Sequence, residues 1–278
     1  MQPGQPSLTA RRAASHRAVH QLVESGAVFA DPFAVRILSE PAEALVADAA
    51  LHPERRVMRL FIAARHRFAD EAIAAAVARG TRQIVILGAG LDTTAYRNPH
   101  AGVRVFEIDH PLTQAWKRER LEEAGIAVPA SLTFVAVDFE RDGLAQRLTQ
   151  AGFDPARASI FIWLGVVPYL TREAVFASLG AIAACTESEV LFDYGEPPES
   201  APPDIRAAYE RRAAVVAALG EPWITFFDPP QLHDELRALG FTEIEDLDAV
   251  AVARRFFNRL QEPTGRGRGH LIRARVTP

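Results

Sequence analysis

Residues 82–97 read RQIVILGAGLDTTAYR, a short apolar run (83–87) that ends in a glycine turn at Gly88 and Gly90. The missing Cβ atoms allow a tight turn and let a ligand approach the backbone closely. A dinucleotide-binding loop of the G-x-G-x-x-G kind carries a third glycine, which brings the following helix start up to a pyrophosphate. Here that position is Thr93, preceded by the acid Asp92. A carboxylate beside the loop repels phosphate, and it suits a ligand with a positive group or a ribose hydroxyl.

Upstream of this loop, residues 9–79 are rich in Ala and Arg and poor in β-branched runs. The stretch PERRVMRLFIAARHRFADEAIAAAVARG (53–80) has apolar residues three and four apart and stops at Gly80, the signature of amphipathic helix. Downstream the chain alternates. Apolar runs at 83–87, 103–108, 132–137, 160–164 and 190–194 are mostly separated by helix-like segments such as PLTQAWKRERLEEAG and TREAVFASLGAIAAC. Near-continuous apolar strands alternating with helices predict an α/β fold, with a mainly parallel sheet covered on both faces. Right-handed crossovers then put the functional loops at the C-terminal strand ends. Segments around 242–247 and 270–276 complete seven strands, and a helical insertion over roughly 202–239 borders a substrate pocket.

The next strand ends give chemistry to the glycine turn. VFEIDHP puts Asp109 about 20 residues beyond it, where an acid accepts hydrogen bonds from ribose hydroxyls. VAVDFE ends the third strand with Asp138, suited to an adenine amino group, and Phe139, an apolar wall. Glycine, acid, then acid plus aromatic describe an adenosyl pocket without phosphate recognition. S-adenosylmethionine fits it better than a nicotinamide dinucleotide. Taken singly, Asp109 and Asp138 are equally well read as helix caps or solvated loop acids.

Bulk properties narrow the partners. With 49% apolar and 24% charged residues among 278, the chain has the composition of a globular protein with a sizeable core. A formal charge of −4 gives no general attraction for nucleic acid. Cys185 is the single cysteine, which rules out an intramolecular disulfide or a cysteine-based metal cluster. The N-terminal stretch lacks a signal-peptide apolar core and no window has the length of a membrane span, so the expectation is a cytoplasmic protein with no membrane partner. No compact His/Asp/Glu cluster suggests a metal.

Together TARRAASHRA (9–18), DPFA (31–34), AARHRFAD (63–70), RQIVILGAGLDTTAYR, FEIDHP, VAVDF and WLGVVPYLT (163–171) resemble the leucine carboxyl methyltransferase and tetracenomycin-type polyketide O-methyltransferase family, within the class I S-adenosylmethionine-dependent methyltransferases. The resemblance implies a Rossmann-like class I methyltransferase fold in one domain (1–278), with an N-terminal helical cap (1–80) and a core (81–278) bearing the helical insertion near 195–239. It also implies that Arg65 binds the methionyl carboxylate, Gly88 and Gly90 pack under that moiety, Asp109 takes the ribose, and Asp138 with Phe139 flanks adenine. An alternative for Arg65 is a surface ion pair with Asp70 or Glu71. Much of the family has a glutamate before the glycine of the WLGVVPYL segment, where this chain has Leu164. Either another acid such as Asp92 substitutes, or that side of the site is more apolar.

The expected activity is O-methylation of a small-molecule acceptor, a carboxylate or a hydroxyl. An ionised carboxylate needs no general base, whereas a hydroxyl does. His16, His20, Tyr169, Tyr194 and His233 are the candidate bases, and Arg17 and His20 lie in the helix that would cover the cofactor. The alternatives are an NAD(P)-dependent oxidoreductase and a non-catalytic S-adenosylmethionine-binding module.

Overall fold

β1 (Gln83–Leu87) is buried along its whole length because strands pair with it on both sides. Leu87 sits opposite Ile108 of β2 (Arg104–Asp109), and Ile86 opposite Ile162 of β4 (Ser159–Trp163). The computed structural model describes residues 7–258 and 267–277, so the first six residues of the expected cap lie outside the described residues. With β3 (Leu132–Ala136), β5 (Ser188–Gly195), β6 (Glu243–Leu247) and β7 (Gly269–Arg275), the sheet order is β3-β2-β1-β4-β5-β7-β6. β1 to β5 are parallel, and each strand lies within two residues of the run that predicts it. Alternation alone did not order β7, which enters antiparallel between β5 and β6. Strand order reverses between β1 and β4, and a ligand crevice opens above the C-terminal ends at such a point.

The pleat sorts each strand's side chains between two cores. Val85, Leu87, Phe106, Phe161, Trp163 and Phe192 face one side, packed by residues of α6 (Leu144–Gln150), α7 (Arg172–Ala183) and α9 (Pro229–Ala238). Ile84, Ile86, Val105, Ile160, Ile162 and Leu191 face the other, against α3 (Arg56–Ala78). The α3 contact is built largely of Ala63, Ala64, Ala69, Ala72 and Ala76, small residues that let a 23-residue helix lie close to the strands.

The N-terminal cap is continuous with this architecture. Ala14, Ala18 and Val19 of α1 (Leu8–Val23) pack with Leu45 of α2 (Ala42–Leu51), Leu91 of the glycine loop and Leu121 of α5 (Pro111–Glu123). The expected helical insertion over 202–239 divides in two. α8 (Pro203–Ala218) buries only Val216, whereas α9 buries Leu232 and Leu236 in the sheet core and serves as the crossover into β6. The segment 219–228 separating them is not helical.

Candidate functional site

Gly88 and Gly90 are both left-handed, with φ of +62° and +43°. A Cβ on Gly88 would overlap Val166 Cγ2, and one on Gly90 would lie 2.9 Å from the Ala10 Cβ. Backbone conformation and space therefore both require glycine. The two residues draw the turn after β4 and the start of α1 onto the loop.

Asp109, at the end of β2, accepts hydrogen bonds from the Gly90 and His110 backbone N–H groups, the second at 2.7 Å. Burial pushes its carboxyl pKa up, and those two hydrogen bonds oppose the rise. A carboxylate has about four lone-pair sites, so Asp109 retains acceptor capacity for hydroxyls. Asp138 accepts from the Glu140 N–H at 3.1 Å and faces Arg141 at 3.6 Å, while Phe139 tilts against Trp163 with ring centroids 6.0 Å apart. Strand register aligns the acids: Asp109 pairs with Ala136, two residues before Asp138.

Asp92, expected beside a ligand, is instead internal. Its Oδ1 accepts from the Thr94 N–H at 2.7 Å and its Oδ2 lies 3.4 Å from His66 Nδ1. Burial opposes its charge, but His66, Arg17, Lys117 and Arg97 outweigh burial and hold it below the usual carboxylate range. It therefore takes up the first amide of the short helix that follows, α4 (Thr94–Arg97).

Arg65 is neither exposed nor paired with Asp70 or Glu71. Those acids bind Arg97 and Arg67 respectively. Arg65 is 7% exposed, and its Nη1 bonds Asp193 Oδ2 at 3.0 Å. Its Nε is buried with no hydrogen-bond partner among the described residues. A buried donor without a partner is costly, and an incoming carboxylate would relieve it. Together with the spare acceptor capacity of Asp109, this fits the residues to an adenosyl amino-acid ligand.

The candidate bases separate. His20 Nε2 accepts from the Val28 and Phe29 N–H groups and its Nδ1 faces Glu24 at 3.2 Å, which makes it a brace for the following turn. Tyr194 donates to Asp246 at 2.6 Å, and His233 lies 2.7 Å from the same carboxylate. These two stabilise the β5–β6–α9 side. His16 is buried, and burial together with Arg12, Arg59, Arg55 and Arg65 lowers its pKa to about 3. Burial raises the Tyr169 pKa, and the nearby Trp223, Thr9 and Arg65 side chains oppose the rise.

Several contacts around the site carry no mark in the sequence. Arg17, expected on a helix that covers the cofactor, donates to Leu91 O and lies 3.3 Å from Asp31, which also accepts from Thr93 Oγ1 at 2.7 Å. The DPFA motif thus supplies the acid that ties α1 to the glycine loop. Glu221 accepts from the Ser7 hydroxyl, the Leu8 and Thr9 N–H groups and the Thr9 hydroxyl, closing the N-terminus of α1. Trp223 packs on Tyr209 with ring centroids 5.2 Å apart, and Ile224 N donates to Pro168 O, which stitches the segment after α8 to the turn after β4. No spacing rule linked these residues, because each contact joins distant parts of the chain.

A model of the family described as leucine carboxyl methyltransferase matches residues 10–183. YktD of Bacillus subtilis strain 168, provisionally described as an S-adenosyl-L-methionine-dependent methyltransferase, is 30% identical over 203 residues, spanning 72% of this chain and 66% of its own length. A Mycobacterium sp. (strain KMS) protein with the same provisional description is 44% identical over 128 residues, 45% of this chain and 42% of its own. The matched regions thus cover two fifths to two thirds of these relatives. A Thermobifida fusca structure, provisionally described as a methyltransferase, superposes with a TM-score of 0.54 at 17% identity, covering 100% of this chain and 97% of that one. That likeness is one of fold.

Proposed function

Because the chain belongs to the leucine carboxyl methyltransferase family, whose model covers residues 10–183 of its 278, we propose that it is an S-adenosylmethionine-dependent O-methyltransferase acting on a small-molecule carboxylate in preference to a hydroxyl. In this reading Arg65 holds the methionyl carboxylate, Asp109 accepts from the ribose, Asp138 and Phe139 flank adenine, and Gly88 and Gly90 keep the loop backbone close. When bound, the cofactor supplies an electrophilic methyl group on a sulfonium. The cap and the sheet work as one unit, with α1 closing over the glycine loop, and the site of action is the cytoplasm.

The cationic surroundings of His16 support the acceptor preference. Burial holds this ring neutral and Arg12, Arg59, Arg55 and Arg65 add to the effect. Of these four, Arg59, Arg55 and Arg65 already face Glu24, Asp48 and Asp193, which leaves Arg12 as the guanidinium to meet an acceptor. A guanidinium favours an anion and orients it through charge-assisted hydrogen bonds, contributing about 1.5 to 3 kcal/mol. A carboxylate, with a pKa of about 4, is already ionised and loses no proton on methylation. A hydroxyl acceptor needs a base, and His20, Tyr194 and His233 are committed to other partners. Catalysis then consists of holding the acceptor oxygen in line with the S–CH3 bond and excluding water.

The test is incubation with S-adenosylmethionine and matched carboxylic acids and phenols, read by mass spectrometry before and after mild alkali. Products that gain a methyl group and lose it to alkali are esters and support the proposal. Alkali-stable products formed from the phenols alone would overturn the carboxylate preference.

A further inference from the structure

Arg65 reaches from α3 to the turn after β4, and its burial makes a partner necessary, since an unpaired interior guanidinium is expensive. Asp193, near the C-terminal end of β5 and 6% exposed, provides one. Its Oδ2 accepts from Arg65 Nη1 at 3.0 Å and its Oδ1 accepts from the Gly165 N–H at 2.5 Å. One carboxylate therefore ties helix α3 to the turn after β4. Gly165 completes the arrangement: its φ is +71°, and a Cβ there would lie 2.7 Å from both Nη atoms. The guanidinium lies against a position that has no side chain.

This geometry engages one corner of the guanidinium and leaves Nε without a partner among the described residues. The fork of an arginine presents donors in a fixed plane, so pinning one nitrogen sets the direction of the others. Leu164, where the family resemblance leads one to expect a glutamate, contributes no charge. The acid at this turn comes from the neighbouring strand. With a single carboxylate on Arg65, donors remain for a ligand carboxylate.

We propose that Asp193 is a positioning residue, which holds the Arg65 guanidinium against Gly165 so that its free donors meet the amino-acid carboxylate of the cofactor. This rests on the reading that Arg65 receives that carboxylate. Asp193 itself does not touch the ligand.

Isothermal titration with S-adenosylhomocysteine and with 5′-methylthioadenosine, which has the same adenosine and thioether but no amino-acid group, tests it on wild type, Asp193→Asn, Arg65→Ala and the double variant. The expectation is that Asp193→Asn weakens S-adenosylhomocysteine by about 10- to 100-fold, the worth of a charged hydrogen bond, and leaves methylthioadenosine within about twofold. The double variant should be no weaker than Arg65→Ala, because the two act through one contact. Gly165→Ala, which moves the guanidinium without removing the acid, should give the same selective loss and keeps the test open if Asp193→Asn does not fold. Equal weakening of both ligands by Asp193→Asn, no weakening, or tighter S-adenosylhomocysteine binding would each overturn the proposal, the last by showing that Asp193 competes with the ligand. If Arg65→Ala weakens the two ligands equally, or weakens neither, the reading that Arg65 receives the carboxylate fails first and the proposal with it.

Discussion

Glu107 and Lys117 form an ion pair between β2 and α5, both about 1% exposed, with Nζ 2.7 Å from Oε2. Burial pushes the Glu107 pKa up to about 7; Lys117 opposes the rise, and Asp92 and Asp109 add to it. Its folded pKa exceeds its unfolded value of about 4.3, so between them the unfolded state ionises while the folded state keeps its proton. Stability from this group is therefore full below the unfolded value, falls as pH rises towards 7, and stays low above it. The gap between the two pKa values corresponds to a loss on the order of a few kcal/mol. Removing one partner alone strands a buried charge, so the informative variant is Glu107→Gln with Lys117→Met. Its urea midpoint should fall less than that of wild type between pH 5 and 7.5; parallel profiles would refute the assignment. At this scale the sequence was partly legible. The place of Asp109 beside the glycine turn was legible because its distance from that turn follows from strand geometry, whereas Arg65 and Asp193, 128 positions apart, meet only through the fold.

The first turn of α1 closes the site by two independent contacts. Ala10 lies against Gly90, and Glu221 accepts from the Leu8 and Thr9 amides, groups that a helix start leaves without partners. Gly90→Ala adds a Cβ 2.9 Å from that of Ala10 at a φ of +43° and should cost about 1 to 3 kcal/mol of stability. Ala10→Gly in the same chain should restore part of the loss, because it removes the clash and not the backbone strain; failure to restore any would mean that α1 does not press on the loop. Glu221→Ala should accelerate deuterium exchange in the 7–12 segment by about tenfold or more while the α3 segment stays protected. Equal exchange in wild type and variant would show that Glu221 does not anchor the helix. The helical pattern announced α1 and α3 but not this docking, because a periodicity fixes which face is apolar and not which loop it covers. The same limit merged α8 and α9 into one insertion, although α9 alone has the buried Leu232 and Leu236 that place it on the sheet.

Across the whole molecule, the sheet order puts β1 and β4 side by side where the crossovers part, and the glycine loop, Arg65 and the turn carrying Gly165 converge above that seam. The strands β1 to β5 and their parallel sense were legible because each is a largely apolar run and most are separated by helix patterns, whereas their order in the sheet was not. Nor was the place of β7, since an antiparallel strand between β5 and β6 carries no periodic mark of its slot. The architecture alone is shared by nucleotide-binding enzymes of many kinds, so the ligand must be argued from the strand ends. Asp109 accepts two backbone N–H groups and Thr93 stands in place of a third glycine, features that suit ribose and leave no pyrophosphate cradle. A ligand that binds only the folded state stabilises it by RT ln(1 + [L]/Kd), about 2.7 kcal/mol at one hundred times Kd. S-adenosylhomocysteine at that excess should raise the melting temperature by roughly 4 to 6 °C, and NAD or NADP at the same concentration should not move it. The Asp109→Ala variant should lose most of the shift, because its carboxylate holds the Gly90 amide of the loop and, in the proposed function, the ribose. A shift with NAD alone would return the molecule to the oxidoreductase reading.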